Sequence, residues 1–476
     1  MRRALAKTTS HVVWFAIVVG VLAIALAVMA SPLAAAAAVI AAVVLVALVR
    51  SFGPLEGLWY LAVAALPLRH ALAIDVMGTA SLFPTDVLFI LLLALAYAGG
   101  HVRGLLRKSL TLRLGVAILL LSLPGLFTAS RLFWGVAAIY RIGVQLSAFV
   151  VAFVLAREGR VARRTLWALL LGVAPVAIYG LYQSNFPVGS AALPQWARHL
   201  TAYSAAGEPH LRVFSTFDHP LRFSHYLSVC LGIALGFVID PRSRARRLLA
   251  GALAALVAYA NLFTYSIAGF LGMVTAMVVS IFQVRARRVL FWLAPAFVAG
   301  LLVASPAALL NKADRVLSGE ATTAAARLIT YRQAFEVMKD HPLLGLGWGG
   351  LRSSMENEYR VTRARAVAFA AENYFLHRGT ALGLPGLLLY VWIAVLLLRN
   401  LVRSARAPAD WPRAALTVAA LTYYVQAQSY PAASPEGCVS LWVLLALAER
   451  ARMAGERAGV GERDAPPVDA AREVSS

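Results

Sequence analysis

The sequence predicts an all-α protein that crosses a membrane many times. Of its 476 residues, 61% are hydrophobic and only 14% are charged, and the mean hydropathy is +0.74. This composition leaves too little polar surface for a soluble chain of this length. Apolar runs of roughly 17 to 25 residues recur along the chain, long enough to cross a hydrocarbon core of ~30 Å as helices. The runs are continuous rather than alternating, so they indicate helices and not barrel strands.

The apolar runs define the candidate spans one by one. They cover approximately residues 12–30, 33–49, 55–68, 84–99, 110–127, 137–156, 164–182, 222–239, 247–263, 267–283, 289–309, 385–400, 412–427 and 436–450. Because some runs are short or rich in alanine, we predict about 12–14 transmembrane helices. The first run ends in Val28-Met29-Ala30, which resembles a cleavage site, but a second run follows within a few residues, so we expect an uncleaved signal anchor.

The net charge of +22 is explained by the position of the basic residues. If the N-terminus is cytoplasmic, every alternate junction is basic and lies inside: Arg50, 101–113, 157–164, 242–247, 285–288 and 399–413. This is the positive-inside pattern of a multi-pass inner-membrane protein. The charge therefore predicts a membrane partner and no nucleic acid.

Two long junctions fall on the extracytoplasmic side, at 183–221 and 310–371. Residues 1–450 are predicted to form a single transmembrane domain that includes these two loops, which are expected to contain short helices. The remainder, 451–476, is rich in glycine, proline and mixed charge and is predicted to be a disordered cytoplasmic tail. Cys230 and Cys438 lie inside apolar runs, so the sequence indicates neither a disulfide framework nor a metal cluster.

The second outer loop contains a stretch with helical periodicity, 324–340. It places Arg327, Tyr331, Phe335 and Met338 near one face. We therefore predict a helix that lies near the membrane interface and buries Phe335 and Met338. Pro342 and the glycines after it end the helix.

Arginines are frequent in the two outer loops, and two interpretations of them stay open. The planar, permanently charged guanidinium suits phosphate oxygens of an anionic, lipid-linked ligand. The same arginines could instead form ordinary salt bridges with loop carboxylates. Arg212 and Arg327 favour the first interpretation, because each precedes a membrane entry or a Pro-Gly motif: Arg212-Val-Phe-Ser-Thr-Phe-Asp-His-Pro220 before the 222–239 run, and Arg327 before His341-Pro-Leu-Leu-Gly-Leu-Gly347.

In their order and spacing these segments resemble the bacterial O-antigen ligase and O-antigen (exopolysaccharide) polymerase superfamily of membrane glycosyltransferases. The family patterns are an arginine before a Thr-Phe-x-x-Pro-like turn, and an arginine about fifteen residues before His-Pro-Leu-x-Gly-x-Gly. A third pattern is a polar dyad and an aromatic or leucine pair followed by Gly-Leu-x-Gly, matched by Glu372-Asn373-Tyr374-Phe375-Leu376 and 383–386. The ligases carry histidine where this chain has Glu372, so the resemblance is nearer to the polymerases.

The resemblance implies an extracytoplasmic reaction in which a glycan leaves undecaprenyl diphosphate for a hydroxyl of a glycan or lipid acceptor. Arg212 and Arg327 would bind the diphosphate, and Glu372 would be the catalytic base. No cofactor or metal is expected. The first prediction is a polymerase of lipid-linked repeat units; the alternative is a ligase that transfers a glycan to lipid A core or another acceptor. An alternative of another class is a transporter or flippase for a lipid-linked glycan.

Several further polar residues are candidates for accessory roles: Arg141, Arg332, His219, His341, Asn373 and His377. Arg141 lies inside an apolar run, so it could contact a phosphate or a buried partner. His377 is the rival of Glu372 as base, although five residues along a helix place it on roughly the opposite side. Asp86, after Pro84, is interpreted as a helix cap.

Overall fold

The computed structural model describes most of the predicted spans. The described residues are 43–70, 74–76, 80–126, 132–191, 193, 195–198, 200–203, 209–239, 243–283, 322–348, 373–404, 407, 411–428 and 435–463. The predicted spans at 12–30 and 289–309, and the catalytic candidate Glu372, lie outside these residues.

Thirteen helices of ten or more residues occur in the described part of the chain. They are α1 (Val43–Phe52), α2 (Pro54–Ala64), α3 (Pro84–Ala98), α4 (Leu110–Ser122), α5 (Leu132–Leu155), α6 (Gly159–Gln183), α7 (Pro220–Ile239), α8 (Arg244–Leu262), α9 (Ile267–Phe282), α10 (Thr322–Asp340), α11 (Tyr374–Arg403), α12 (Arg413–Ala427) and α13 (Pro435–Arg463). Five of them, α5, α6, α7, α8 and α11, are long and apolar enough to cross a membrane. The prediction of an all-α polytopic membrane protein is confirmed, while the full count of spans stays a prediction.

Helix α7 lies at the centre of the bundle and is buried along almost its whole length. It packs against α8, α9 and α12. Gly236 allows the close approach of α12, since a Cβ there would lie 2.2 Å from the Ala415 Cα, and Gly232 meets Ala419 in the same way. Small residues bring transmembrane helices together where no hydrophobic force from water acts between them.

Two short antiparallel hairpins were not predicted from the sequence. Strand β1 (Ile74–Val76) pairs with β2 (Ala80–Leu82), and β3 (Thr201–Tyr203) pairs with β4 (Pro209–Leu211). The second hairpin lies between α6 and α7, where the described residues also include the 3-10 turn Gln195–Ala197. Strands of three residues are too short for a periodic signal, so only the Gly and Pro near the turn hint at them.

The predicted disordered tail needs a correction. Helix α13 continues beyond the apolar run to Arg463, so that the first half of the predicted tail is helical, and 464–476 lie outside the described residues. An i,i+4 ion pair supports this extension, since both Glu456 carboxylate oxygens lie 2.7 Å from Arg452 Nη1. The amino-acid composition, on which the prediction of a disordered tail rested, does not reveal such an ion pair.

The buried face of α10 also differs from the predicted one. Met338 is buried as predicted, with 4% of its surface exposed, but Phe335 is 59% exposed. The face that packs inward is formed by Thr330, Ala334 and Val337. The reason is the partner surface: a Cβ on Gly379 of α11 would lie 2.4 Å from Met338 Sδ, and such an approach between helices suits the small Ala334 better than a phenyl ring.

Candidate active site

Arg212 is fixed by its backbone to the connection between α8 and α9. Its amide donates to Leu200 O at 2.9 Å, and the next amide, that of Val213, donates to Phe263 O at 2.9 Å. The Arg212 Nε donates to Thr264 O at 3.2 Å. Arg212, the residue predicted to bind the diphosphate, therefore lies at the end of the bundle where α8 ends and α9 begins.

The Arg212 guanidinium has no carboxylate partner within the part of the chain that the structure describes. Burial lowers the pKa of Arg212 to about 10, so the group stays cationic at neutral pH. His219 lies close enough to respond to it: burial first, and then the charges of Arg212 and Arg222, lower the pKa of His219 to about 4. The imidazole is therefore neutral, and its Nδ1 accepts a hydrogen bond from the Leu221 amide at 3.1 Å. His219 shapes the turn before α7, while Arg212 keeps its charge available.

Arg222, by contrast, follows the salt-bridge interpretation. Its Nη1 donates to Asp218, and His70 Nε2 lies 3.8 Å from the other oxygen of the same carboxylate. Thr216 Oγ1 also donates to Pro67 O at 2.6 Å. These contacts tie the segment after Arg212 to the turn that follows α2.

Beside this turn lies a buried ion pair that sequence reasoning missed. Arg69 donates to both oxygens of Asp86, at 2.9 and 2.6 Å, and its guanidinium lies 3.7 Å from the centre of the Phe83 ring. Asp86 is thus a salt-bridge partner and not the predicted helix cap, since α3 has no side-chain cap. Seventeen residues separate the two groups, so no helical spacing signalled the pair.

The His-Pro-Leu-Leu-Gly-Leu-Gly motif packs directly on α11. The Leu346 amide donates to Thr380 O at 3.0 Å, and the Leu384 amide donates to Pro342 O at 2.7 Å. The second bond gives the Leu384 amide an acceptor at the break in α11, where Gly383 leaves the helical conformation with φ 70° and ψ −170°. The two glycine motifs noted in the sequence are therefore the two sides of one contact.

Gly345 is a position where this contact can be tested. Its φ is +62°, and a Cβ would lie 2.6 Å from Thr380 O and from the Ala381 carbonyl carbon. We expect Gly345→Ala to destabilise the protein by about 2–4 kcal/mol, through overpacking in addition to backbone strain. Gly189→Ala is the matched control, because Gly189 also has a positive φ, +81°, but no atom within 4 Å of the added carbon. Thermal unfolding in detergent should show the larger loss for Gly345; equal losses would contradict the packing argument.

Asn373 is accounted for as the cap of α11. Its Oδ1 accepts from the amides of Phe375 and Leu376, at 2.9 and 3.1 Å, and its Nδ2 donates to Gln428 Oε1 at 2.9 Å. Tyr331 of α10 donates to Gln428 O at 3.3 Å. The cap therefore fixes the chain immediately after Glu372 to the end of α12, which also contacts the middle of α10.

The other accessory candidates differ in their surroundings. The side chains of Arg141, Arg332 and His341 are exposed. His377 is partly buried in the first turns of α11, with its ring centre 5.8 Å from that of Trp348 and no hydrogen-bond partner for Nδ1 in the described part of the chain. Arg327 lies in α10, but its side chain is outside the described part. The structure therefore leaves the predicted meeting of Arg212 and Arg327 as a prediction.

Arg378 is a buried cation that the sequence analysis did not select. Its guanidinium lies 4.9 to 5.0 Å from the ring centres of Trp348, Tyr374 and Tyr390, and its Nη2 lies 3.8 Å from Cys438 Sγ. No carboxylate pairs with it among the described residues. The signal that could have found it is an arginine beside an aromatic pair at the start of an apolar run, since charge at such a position is costly.

A buried polar network joins the two ends of the candidate site. Ser224 Oγ of α7 donates to Asn261 Oδ1 of α8 at 2.7 Å, and Gln426 Nε2 of α12 donates to Ser224 Oγ at 3.5 Å. Asn261 lies three residues before Thr264, which holds Arg212, and Gln426 lies two residues before Gln428, which holds Asn373. The Arg212 segment and the start of α11 are therefore at the same end of the bundle.

Comparison with known families agrees with these motifs. Residues 252–391 match the family model described as O-antigen ligase. The match includes the Asn261–Thr264 corner, α10, the His-Pro motif and the kinked start of α11, and it begins after Arg212. No protein of curated function matches the chain. This match confirms the predicted resemblance to the O-antigen ligase and polymerase superfamily.

Proposed function

We propose that this protein polymerises oligosaccharide repeat units that are linked to undecaprenyl diphosphate, at the extracytoplasmic face of the bacterial inner membrane. The observation that supports this best is that Arg212, which has no carboxylate partner among the described residues, lies at the same end of the bundle as Asn373, the residue after Glu372. Arg212 and Asn373 are both held at one end of the bundle through the Asn261, Ser224 and Gln426 network. An anion site and a base at one membrane boundary are the two groups that a diphosphate leaving group and a hydroxyl nucleophile require.

The proposed step is a displacement at the anomeric carbon. The acceptor hydroxyl oxygen forms a bond to that carbon, the carbon–oxygen bond to the diphosphate breaks, and the bonding electrons leave with undecaprenyl diphosphate. Arg212 and Arg327 would neutralise the charge that develops on the leaving group. Glu372 would take the hydroxyl proton, and desolvation by the apolar residues 366–371 would favour its neutral form after the transfer.

A ligase is the second candidate, and the family match favours it by name, because the matching model is described as O-antigen ligase. The two reactions share the donor and differ in the acceptor: a second lipid-linked repeat unit for the polymerase, and lipid A core or another molecule for the ligase. Glu372 in place of the ligase histidine supports the polymerase. The break of α11 is occupied by the Pro342 carbonyl, a packing contact that gives a transporter interpretation no added support.

The experiment is a product-length assay with purified protein in nanodiscs. Undecaprenyl-diphosphate-linked oligosaccharide is supplied alone, without nucleotide or added metal, and the products are sized by mass spectrometry. Lipid-linked products of doubled repeat length would support the polymerase. Transfer only after addition of lipid A core would support the ligase instead. If the protein moves the lipid across the bilayer without changing its mass, the proposal of an enzyme is wrong.

A further inference from the structure

A basic cavity lies at the opposite end of the bundle from the candidate active site. It has a volume of about 180 Å³ and is formed between the start of α4, the last turns of α11 and the middle of α13. Its polar lining consists of Lys108, Thr111, Arg113, Arg399, Glu449 and Arg452, with Asn400 beside them. Arg399 lies 25 residues after the first residue of α11, which at 1.5 Å per residue corresponds to at most roughly 38 Å along the helix.

The cationic groups of this cavity are mostly uncompensated. Arg452 pairs with Glu456, whereas Lys108, Arg113 and Arg399 have no carboxylate partner among the described residues. The lining carboxylate, that of Glu449, accepts a hydrogen bond from Ser109 Oγ at 2.8 Å. The cavity therefore has an excess of positive charge from three separate chain segments.

The wall of the cavity also offers an unused hydrogen-bonding group. Thr111 is only 1% exposed, and its hydroxyl has no hydrogen-bond partner in the part of the chain that the structure describes. A buried hydroxyl without a partner is unfavourable unless a ligand or water completes it. Guanidinium groups and a hydroxyl donor together suit the oxygens of a phosphate group better than they suit an uncharged apolar ligand.

The surroundings of the cavity indicate where that phosphate comes from. Trp392 and Val395 are 57% and 55% exposed and lie seven and four residues before Arg399, on the same face of α11. Leu110 and Leu396 line the cavity itself. A phosphate bound at Arg399 would thus lie at one end of an apolar stripe on α11. The acyl chains of a lipid could run along this stripe.

We propose that this cavity binds the phosphate headgroup of an anionic phospholipid from the cytoplasmic leaflet. A lipid headgroup and a free phosphate ion both carry the phosphate group that the cavity would bind. The apolar stripe on α11 favours the lipid. The site is independent of the glycosyl-transfer site, since the two occupy opposite ends of α11. Its basic junctions, 101–113 and 399–413, are those that the positive-inside pattern assigns to the cytoplasm.

The test measures lipid binding to delipidated, purified full-length protein by native mass spectrometry, with thermal stability as a second readout. We expect phosphatidylglycerol to bind and stabilise, and phosphatidylcholine to do so much less. The double variant Arg113→Gln, Arg399→Gln should weaken phosphatidylglycerol binding by roughly 25-fold, at about fivefold per basic residue. Arg107→Gln is the matched control, because Arg107 is exposed on the same side but does not line the cavity.

Thr111→Val provides an independent variant that retains every charge. It should weaken phosphatidylglycerol binding while leaving the salt dependence unchanged. Inorganic phosphate and glycerol phosphate form the third arm, and neither should stabilise the protein at concentrations that saturate the lipid. The proposal is overturned if the double variant and the control bind phosphatidylglycerol equally, or if inorganic phosphate alone reproduces the stabilisation.

Discussion

Glu372→Gln should reduce turnover by roughly 10² to 10⁴-fold while the lipid-linked substrate still binds. Glutamine keeps the size of the side chain but cannot accept the proton of the acceptor hydroxyl. Glu372 directly precedes Asn373, whose hydrogen bonds to two amides and to Gln428 fix the start of α11 at the end of the bundle that holds Arg212. The rate is measured by product length, and substrate binding by protection against thermal unfolding.

Two further variants decide whether the base has been assigned correctly. Glu358→Gln removes another carboxylate of the same outer loop that lies outside the motif, so it should leave the rate nearly unchanged. Glu372→His introduces the residue that the ligases carry, and partial activity would indicate a shared mechanism. If glutamine at 372 leaves the rate intact and His377→Ala abolishes it, then His377 is the base.

Much of the fold could be predicted from the sequence because hydrocarbon thickness imposes the length of its elements. The run at 222–239 became α7 at Pro220–Ile239, and that at 267–283 became α9 at Ile267–Phe282. Proline and glycine marked several of the ends. The tail was mispredicted because composition suggested disorder, while a local Arg452–Glu456 pair supports helix.

The packing faces could not be predicted in the same way. Both Phe335 and Ala334 are apolar, and only the surface of α11 decides which one faces inward. Likewise, Arg378 is next to Trp348 only because the His-Pro loop folds back on α11, whereas Tyr374 is one helical turn away on α11 itself. Such contacts join distant segments, and a single sequence has no period that encodes them.

The motifs of the site could be predicted from the sequence, but the contacts between their residues could not. The sequence identified Arg212 as a candidate anion ligand, yet its fixation by the Thr264 carbonyl depends on the α8–α9 turn, 52 residues further along. The sequence also treated Asn373 as an accessory group, whereas it caps α11. Charged residues are visible in a sequence, but their partners are not: Arg222 pairs with Asp218, whereas Arg212 has no carboxylate partner among the described residues.

Arg212→Lys and Arg327→Lys should each reduce activity by roughly ten- to a hundredfold, and alanine should do no better. A charge-assisted contact contributes on the order of 1.5 to 3 kcal/mol, and lysine lacks the planar fork that binds two phosphate oxygens at once. Arg198→Lys and Lys339→Gln are the controls: Arg198 is an exposed arginine of the same outer loop as Arg212, and Lys339 is exposed on the same helix as Arg327. Both should keep near-normal rates.

The double variant tests whether the two arginines act on one ligand. If both contact the same diphosphate, the loss in the double variant should be smaller or larger than the product of the two single losses, with a coupling of about 0.5–3 kcal/mol. The measurement is the rate of product lengthening at saturating lipid-linked substrate, combined with thermal unfolding to verify that each variant is folded. Independent losses would place Arg327 at a different site from Arg212, and folded alanine variants with full activity would remove both from the mechanism.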